Sequence, residues 1–447
     1  METKKKSIWT LADRLEGDKV VWIIVMMLIL ISIVCIFSST SRLLEGGQSR
    51  LDIVGRQMKI VAAGVVVILG CFSIKNIEWF RKFSKWGFAV SAIMLVFLDL
   101  HDVIGAIGPV KPIKINDAWR IIQVGSIQIH IFEVIKVLMV LYLAWAMDAL
   151  KKKELKGPRS VLGQKWLYIY GPFLFIFLFT IPGSNTAALF IGAIMFITIL
   201  LGGGNFKDMT LLLLTGVLLL GACYGIYDMT KDTPNPKMMR IGTGISRIFD
   251  DHDWEGQYLD PESSREQRQD AIDKIRQPYG ARIAIKEGGL LGKGPGQSTQ
   301  RYMVPDMAED YMFSFIIEEY GLLGGILVVF LYVSLLARGS IIVRNCDELY
   351  AKLVVAGLSL LITGQAFLHM FVNVDIGPMT GQTLPMISHG NSAFLCFSLA
   401  FGIMLSFSRM AGLKIQKEEQ EAKPLMELDE DVKDTLNELD EFESYDI

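Results

Sequence analysis

Cysteine is scarce in this sequence, which has five cysteines in 447 residues. They lie mostly inside apolar runs and have no CxxC spacing, so neither a disulfide framework nor a zinc site is indicated. A glycine-rich stretch lacks the Gly-Lys-Ser/Thr ending of a P-loop, which excludes that phosphate-binding motif. No small-residue cleavage site adjoins the first apolar run, so this run is predicted to be a retained span. No internal repeat is evident, which disfavours transporters built from inverted repeats.

Apolar residues, by contrast, make up 51% of the chain. The mean hydropathy of +0.39 is too high for an ordinary soluble protein. Ten apolar runs are predicted to cross a membrane as helices of about 20 residues each. These runs are Val20 to Phe37, Met58 to Ile74, Gly87 to Leu100, Ile129 to Met147, Leu167 to Ile181, Ala187 to Leu201, Leu211 to Tyr227, Tyr311 to Leu336, Leu353 to Val374 and Ala393 to Phe407. The predicted fold is an all-α polytopic membrane protein with one large extracellular loop between helices 7 and 8.

Lysine and arginine indicate the orientation of these spans. The basic runs at Lys4 to Lys6, Lys75 to Lys85 and Lys151 to Arg159 fall on one side, which the positive-inside rule assigns to the cytoplasm. Both termini are therefore predicted to be cytoplasmic. The predicted segments are a cytoplasmic N-terminus (1–19), helices 1–7 (20–227), an extracytoplasmic loop (228–308), helices 8–10 (309–411) and an acidic cytoplasmic tail (412–447). Within the loop, Ser264 to Arg276 is predicted to form a short, solvated surface helix.

The most informative stretch lies where the long loop meets the eighth span. Its glycines, from Gly288 to Gly296, permit tight turns and leave backbone amides that can meet an anion. Asp306, Glu309 and Asp310 follow at the edge of an apolar run. Desolvation there raises the pKa of a carboxylate and suits it to act as a general base.

The competing interpretation of Asp310 is the N-cap of the following helix, which the residues alone favour. On that helix a small face for close packing is predicted at Ser314, Ile317, Gly321 and Gly324. Three acids within five positions are, however, more than a cap requires.

Polar residues also occur inside the predicted spans, where they are costly. Glu133 and Lys136 stand in the fourth span, one turn after His130. Two interpretations have equal weight: an i, i+3 ion pair that locks helices together, or a substrate contact. A polar stripe in the ninth span consists of Gln365, His369 and Asn373. The link from Thr380 to Ser392 is predicted to be a re-entrant or cavity-lining turn.

Several of these residues fall into a known pattern. The pattern consists of Arg56-Gln57, Ala118, Arg120, Gly125, Glu133, Lys136, Pro182, Thr186-Ala187, Arg240, Thr243, Arg247, Gln277, Ala284-Ile285, the glycines from Gly288 to Gly296, Pro305, Asp310, Glu318-Glu319-Tyr320-Gly321, Thr380-Gly381, Leu384-Pro385, Ser388, Gly390 and Ser392. Together they resemble the SEDS family (shape, elongation, division and sporulation), which includes RodA and FtsW. The opening GDKVVW and the EEYGLLGG ending are closer to the division branch, FtsW.

The chain departs from that pattern at five places. Three motifs that are common in the family are replaced, by His130-Ile131-Phe132, Ile181-Pro182-Gly183 and Gly390-Asn391-Ser392. Before Asp310, Asp306 replaces a glutamate and Glu309 replaces the usual Thr or Ser. No role is therefore assigned to the Pro182-Gly183 turn. The extra acid is expected to alter the pKa of Asp310.

The resemblance implies a peptidoglycan glycosyltransferase that polymerises lipid II at the outer face of the bacterial cytoplasmic membrane, for septal cell-wall synthesis in division. Such a reaction needs a base for the acceptor hydroxyl and a stabiliser for the departing pyrophosphate. Asp310 is the predicted base. The predicted substrate-binding residues are Arg56, Arg120, Glu133, Lys136, Arg240, Arg247, Asp306, Glu309 and Ser388.

The resemblance also implies partners. They are lipid II, a class B penicillin-binding protein transpeptidase, other divisome proteins and membrane lipids, with no nucleic acid. A divalent cation, Mg²⁺ or Mn²⁺, is a candidate cofactor that Asp310 and the pyrophosphate oxygens would hold, although the sequence has no dedicated metal motif.

Three alternatives remain open at this point. A lipid II flippase would also have many spans and an interior Glu/Lys pair, but it does not need a large outer loop ending in glycines and acids. A RodA-type role in elongation and shape uses the same chemistry. A divisome scaffold would act through its acidic tail.

Overall fold

The computed structural model describes residues 16–39, 50–100, 110–115, 118–125, 127–230, 258–260, 263–304, 306–377 and 379–414. These residues form twelve helices longer than four residues and three short strands. The helices are α1 (Lys19–Ser39), α2 (Arg50–Ser73), α3 (Ile77–Ser84), α4 (Gly87–Asp99), α5 (Ile131–Lys151), α6 (Val161–Thr180), α7 (Asn185–Leu201), α8 (Phe206–Thr230), α9 (Arg265–Gly288), α10 (Met312–Asn345), α11 (Leu349–Asn373) and α12 (Asn391–Lys414). The strands are β1 (Val110–Ile115), β2 (Ala118–Val124) and β3 (Ile127–His130).

Each of the ten predicted spans overlaps one of these helices, and the predicted helical fold class is confirmed. Six helices are long and apolar enough to cross a membrane by length and composition, namely Lys19–Ser39, Gly55–Ser73, Val161–Thr180, Met312–Asn345, Leu349–Asn373 and Asn391–Lys414. The chain is thus a multi-pass membrane protein. The count of ten spans and the segment boundaries stay predictions, and most of the N-terminal segment and the acidic tail lies outside the described residues.

Polar side chains at the helix starts explain several boundaries. Ser184 accepts a hydrogen bond from Ala187 N at the start of α7, and such a cap satisfies an amide that the helix itself leaves unpaired. Ser264 and Gln267 form a reciprocal capping box at the start of α9. The predicted surface helix is therefore confirmed at its start. It is much longer than predicted, because it continues to Gly288 and packs against α10.

The centre of the bundle is formed by α5, α11 and α12, whose residues are mostly buried. α5 packs against α4, α7 and α11, and α10 packs against α9 and α11. By contrast, α1 and α2 expose apolar side chains such as Ile23, Met26 and Val66 to the surroundings. Exposed apolar helix faces are expected where lipid replaces water.

A three-stranded antiparallel sheet in the order β1-β2-β3 lies between α4 and α5, an addition to the all-α prediction. In its register Ile121 pairs with His130 and Gln123 pairs with Gln128. β3 leads directly into α5, so that helix begins at Ile131 instead of Ile129. The sheet packs against α4 and α5 and carries Arg120 on its central strand.

α10 is interrupted at Gly321, where φ is 71° and ψ is −176°. The predicted small face of Ser314, Ile317, Gly321 and Gly324 is therefore wrong, because residues on either side of the break do not follow one helical spacing. Residues 289–294 fill the break: Leu322 N donates to Gly289 O at 2.9 Å, and Lys293 N donates to Glu318 O at 2.8 Å. Irregular backbone at this depth is tolerated because it is enclosed by protein.

Candidate active site

The three predicted acids lie on one tight turn immediately before α10. Glu309 N and Asp310 N both donate to Asp306 O at 2.9 Å. Asp306 adopts the left-handed region with φ of 55°, which closes the turn. Asp306 and Glu309 are exposed, whereas Asp310 is partly buried. The turn, called the acid turn below, therefore places one carboxylate at the protein interior and two at its surface.

The N-cap interpretation of Asp310 is wrong. Tyr311 occupies the N-cap position of α10 and makes no side-chain hydrogen bond to the helix. Instead, the first amides of α10 are satisfied from α11: Phe313 N donates to His369 Nε2 at 3.3 Å, and Ser314 N donates to Asn373 Oδ1 at 2.9 Å. The carboxylate of Asp310 is thus not used as a helix cap.

The same polar stripe of α11 fixes the acid turn and the segment 379–389, called the 379–389 link below. Asn373 Nδ2 donates to Asp310 O at 3.0 Å. Because His369 Nε2 accepts from Phe313 N, its Nδ1 carries the proton and donates to Gln382 O at 2.7 Å. These bonds give the predicted polar stripe a positioning role.

The 379–389 link closes over the acid turn. Ser388 Oγ accepts from Leu384 N at 2.9 Å and donates to Glu309 O at 2.7 Å. His389 N donates to Ala308 O at 2.9 Å, and a Cβ atom at Gly381 would lie 3.8 Å from Asp310 Oδ2. Ser388, a predicted substrate ligand, is buried and holds the acid turn in this structure; its contact with substrate stays a prediction.

Burial raises the pKa of Asp310 from its ordinary value of 3.8 to about 7. The carboxylates of Glu309 and Asp306 raise the pKa further by charge repulsion, and the Arg120 guanidinium opposes them. This agrees with the expectation from the sequence. A carboxylate with a pKa near neutrality is well matched to proton abstraction.

This raised pKa predicts that Asp310 destabilises the folded protein at high pH. Between about pH 4 and pH 7 the folded state holds a proton that the unfolded chain has lost, so the stability of the wild type falls as pH rises through that range. The difference between 3.8 and about 7 corresponds to roughly 4 kcal/mol, and less after solvent screening of a partly exposed group. We expect Asp310→Asn to raise the unfolding temperature in detergent at pH 8 and to leave it unchanged near pH 4. An equal rise in unfolding temperature at both pH values would show that the effect of the substitution does not come from the charge of Asp310.

Arg120 is the predicted cation that the structure brings to the acid turn. Its charge lowers the pKa of Asp310 against the stronger effects of burial, Glu309 and Asp306. Arg120 Nε donates to Gly183 O at 3.0 Å, and a Cβ atom at Gly183 would lie 2.3 Å from Phe132 Cζ. The turn at Gly183, which the sequence left without a role, therefore positions Arg120.

Glu133 and Lys136 meet as an ion pair of 2.6 Å. Lys136 Nζ also donates to Gln365 Oε1 at 2.7 Å and to Gln382 Oε1 at 2.6 Å. All three N–H groups of the buried ammonium are thereby used. The geometry supports the interpretation of a pair that locks α5 to α11 and to the 379–389 link; substrate contact by either residue stays a prediction.

The remaining predicted cations are not brought to the acid turn by the contacts that the structure describes. Arg56 is exposed on α2, which packs against α1 and α12. Arg240 and Arg247 lie outside the described residues. The roles of all three stay predictions.

His130 lies between the two groups of charges. Burial lowers the pKa of His130, while the carboxylates of Glu133 and Glu309 act in the opposite direction and Arg120 and Lys136 add to the lowering. His130 N donates to Ser392 Oγ at 3.1 Å. The Glu133–Lys136 pair, Arg120 and the acid turn therefore share one electrostatic environment at the same end of the bundle.

Residues 288–299, called the glycine-rich connector below, donate backbone hydrogen bonds to two carboxylates of the same chain. Thr299 N donates to Glu318 Oε1 at 2.8 Å and Gly296 N donates to Glu319 Oε1 at 3.0 Å. Ser38 Oγ on α1 also donates to Glu319 Oε1, at 2.6 Å. Of the amides that the sequence predicted to meet an anion, Gly296 N does so. The acceptors are two buried glutamates to which the sequence assigned no role. Two adjacent acids inside a predicted span are costly, and this signal could have identified them.

Comparison with known proteins gives a consistent picture. The chain is 26% identical over 421 residues to "Stage V sporulation protein E" of Bacillus subtilis, covering 92% of this chain and 99% of that protein. It is 26% identical over 381 residues to a "Probable peptidoglycan glycosyltransferase FtsW" of Taylorella equigenitalis, covering 83% and 93% of the two chains.

A solved structure described as "Structural coordination of polymerization and crosslinking by a peptidoglycan synthase complex" has the same fold. It superposes with a TM-score of 0.62 at 17% identity and covers 88% of this chain and 98% of that chain. The family described as FTSW_RODA_SPOVE, cell cycle protein, matches residues 18–412. Because this match spans most of the 447 residues, the chain belongs to the FtsW, RodA and SpoVE family of cell cycle proteins.

Proposed function

We propose that the protein is a peptidoglycan glycosyltransferase that polymerises lipid II, with Asp310 as general base. The observation that carries this proposal is the state of Asp310. It is a partly buried carboxylate that is not used as a helix cap, its pKa is raised to about 7, and the charge of Arg120 acts on it. The FtsW relative named above is described as a probable enzyme of this class.

In this mechanism the Asp310 carboxylate takes the proton from the acceptor sugar hydroxyl. The acceptor oxygen forms a bond to the anomeric carbon of the donor, and the bond from that carbon to the pyrophosphate oxygen breaks. Arg120, fixed by Gly183 O, stabilises the negative charge that grows on the leaving pyrophosphate. The exposed Asp306 and Glu309 sustain the raised pKa of Asp310.

A divalent cation remains part of the proposal. Among the described residues no group of three His, Cys, Asp or Glu side chains has the arrangement of a metal site. Oxygen donors such as Asp310 suit Mg²⁺, which usually binds through one or two carboxylates together with substrate phosphates. The acid turn thus fits a cation that arrives with the pyrophosphate, where it would neutralise charge on the leaving group.

The proposed setting is the outer face of the cytoplasmic membrane, with both termini in the cytoplasm and a class B penicillin-binding protein as transpeptidase partner. The solved complex that shares this fold couples polymerization to crosslinking, which supports such a partner. A role in septal synthesis, with other divisome proteins, is proposed ahead of one in elongation because of the FtsW-like motifs.

The test is polymerisation of labelled lipid II by the purified wild-type protein with its cognate transpeptidase, with and without Mg²⁺ or Mn²⁺. We expect glycan strands to form even when penicillin inhibits the transpeptidase, and we expect lysozyme to degrade them. Lipid II that crosses the bilayer of proteoliposomes without forming strands would instead establish the flippase. Inactivity in both assays, with normal recruitment of division proteins in cells, would favour the scaffold.

A further inference from the structure

A cavity of about 340 Å³ lies at the end of the bundle opposite the acid turn. Its walls come from the last turn of α5, from α6 and from the glycine turn between α7 and α8, and they include Lys151, Lys165 and Tyr170. α5 has 21 residues, so it is about 30 Å long. Glu133 lies in its first turn and Lys151 is its last residue. The cavity and the candidate active site are therefore separated by about the thickness of a bilayer core.

Aromatic side chains mark the level of this cavity. A π-helical turn of α6 spans Trp166–Tyr170. Trp166 packs against Tyr170 with ring centroids 5.6 Å apart, and Tyr168 packs against Trp145 at 6.3 Å. Trp and Tyr concentrate where lipid headgroups meet the hydrocarbon, and π-helical turns are frequent at functional sites. The cavity thus lies at the depth of the headgroups.

The charges around the cavity favour an anion. Lys151 is exposed and has no ion-pair partner among the described residues, while Lys165 Nζ lies 2.6 Å from Asp208 Oδ2. Tyr170 OH donates to the same carboxylate oxygen at 3.2 Å. The adjoining loop adds the exposed cations Lys153, Lys156 and Arg159 and the exposed acid Glu154. Lys152 is paired with Asp148 and Glu348. Of all these cations only Lys151 and Lys165 line the cavity, whose remaining wall is mostly apolar.

We propose that this cavity binds an anionic phospholipid. The phosphate would lie between Lys151 and Lys165, and an acyl chain would lie along the apolar wall formed by side chains such as Leu150, Ile169 and Ile199. In the orientation proposed above, on which this inference rests, this end of the bundle faces the cytoplasm, and basic pockets between transmembrane helices at the cytoplasmic side bind anionic headgroups. Asp208 competes for Lys165 and repels a phosphate, so it sets the affinity of the site.

The test uses the full-length protein in phosphatidylcholine nanodiscs, with retention of added phosphatidylglycerol measured by native mass spectrometry. We expect Lys151→Gln with Lys165→Gln to weaken retention by about fivefold for each lysine removed. Lys156→Gln with Arg159→Gln removes the same charge outside the cavity and should leave retention unchanged. Asp208→Asn should strengthen retention of phosphatidylglycerol, whereas loss of its ion-pair partner Lys165 should weaken it.

Three outcomes would overturn the proposal. Equal losses in the two double variants would show diffuse attraction to a basic surface. Equal retention of phosphatidylcholine and phosphatidylglycerol would show that the cavity does not select for headgroup charge. If soluble glycerol phosphate raised the unfolding temperature of the protein as much as phosphatidylglycerol does, the cavity would be an anion site that holds no acyl chain. A loss in Asp208→Asn with a matching fall in unfolding temperature would make the Lys165–Asp208 pair structural.

Discussion

Replacing Asp310 by asparagine is expected to lower lipid II polymerisation by about 10²- to 10⁴-fold, the usual contribution of a positioned general base. The amide has nearly the shape of the carboxylate but cannot take the proton of the acceptor hydroxyl. The helix cap is unaffected, because His369 and Asn373 satisfy the first amides of α10. The variant should therefore fold, pair with the transpeptidase and bind lipid II while making almost no glycan. The measurement is strand formation from labelled lipid II, normalised to folded protein, beside a separate lipid II binding assay.

The matched control is Asp306→Asn, which removes an exposed carboxylate of the same turn. It should retain most of the activity at pH 8, while the acidic limb of its pH profile moves to lower pH because Asp306 also raises the pKa of Asp310. Wild-type activity should rise with pH up to about 7 and then level, because Asp310 must be deprotonated to act. Glu309→Gln removes a negative charge that raises the pKa of Asp310, so its acidic limb should move to lower pH. Normal polymerisation by Asp310→Asn would refute the base assignment and make Asp306 or Glu309 the candidate.

The sequence was sufficient for features that depend on local pattern. Apolar runs form helices in a membrane because the backbone must satisfy its own hydrogen bonds there, and a helix is found in every predicted span. The raised pKa of Asp310 could be expected as well, because both of its causes are local in sequence. One is burial at the edge of an apolar run, and the other is the charge of the nearby Glu309 and Asp306. The identity of the family followed from motifs that survive at about 26% identity.

What the sequence could not supply depends on contacts between distant segments. Asn373 bonds to Asp310 O across 63 positions, and Arg120 bonds to Gly183 O across 63 positions. No local pattern distinguishes these partners from many others. The cap interpretation of Asp310 was excluded by the amides of α10, whose acceptors come from another helix. Likewise, an ion pair was expected for Lys136, but not the two glutamines that complete its three bonds.

Replacing Gly321 by alanine is expected to prevent formation of the folded protein. Its φ of 71° and ψ of −176° belong to a region that is essentially restricted to glycine and costs other residues about 1–3 kcal/mol. A Cβ atom would also lie 2.2 Å from Leu290 O and 2.5 Å from Gly292 N. Both contacts are with backbone, so neither can be relieved by a change of rotamer. Together these effects should cost at least about 4 kcal/mol, which is a large part of the stability of a typical protein.

The measurement is the yield of monodisperse protein and its unfolding temperature in detergent. Gly70→Ala on α2 is the matched control, since a Cβ atom there would meet nothing within 4 Å; it should be neutral or stabilise the helix by up to about 1 kcal/mol. A Gly321→Ala protein as stable as the wild type would mean that α10 is continuous at this position. Residues 289–294 form backbone hydrogen bonds with α10 at the break. These bonds hold Glu318 and Glu319 against the glycine-rich connector. The substitution should therefore affect folding and leave the acid turn around Asp310 unchanged. Any Gly321→Ala protein that does fold should polymerise lipid II at nearly the wild-type rate per molecule.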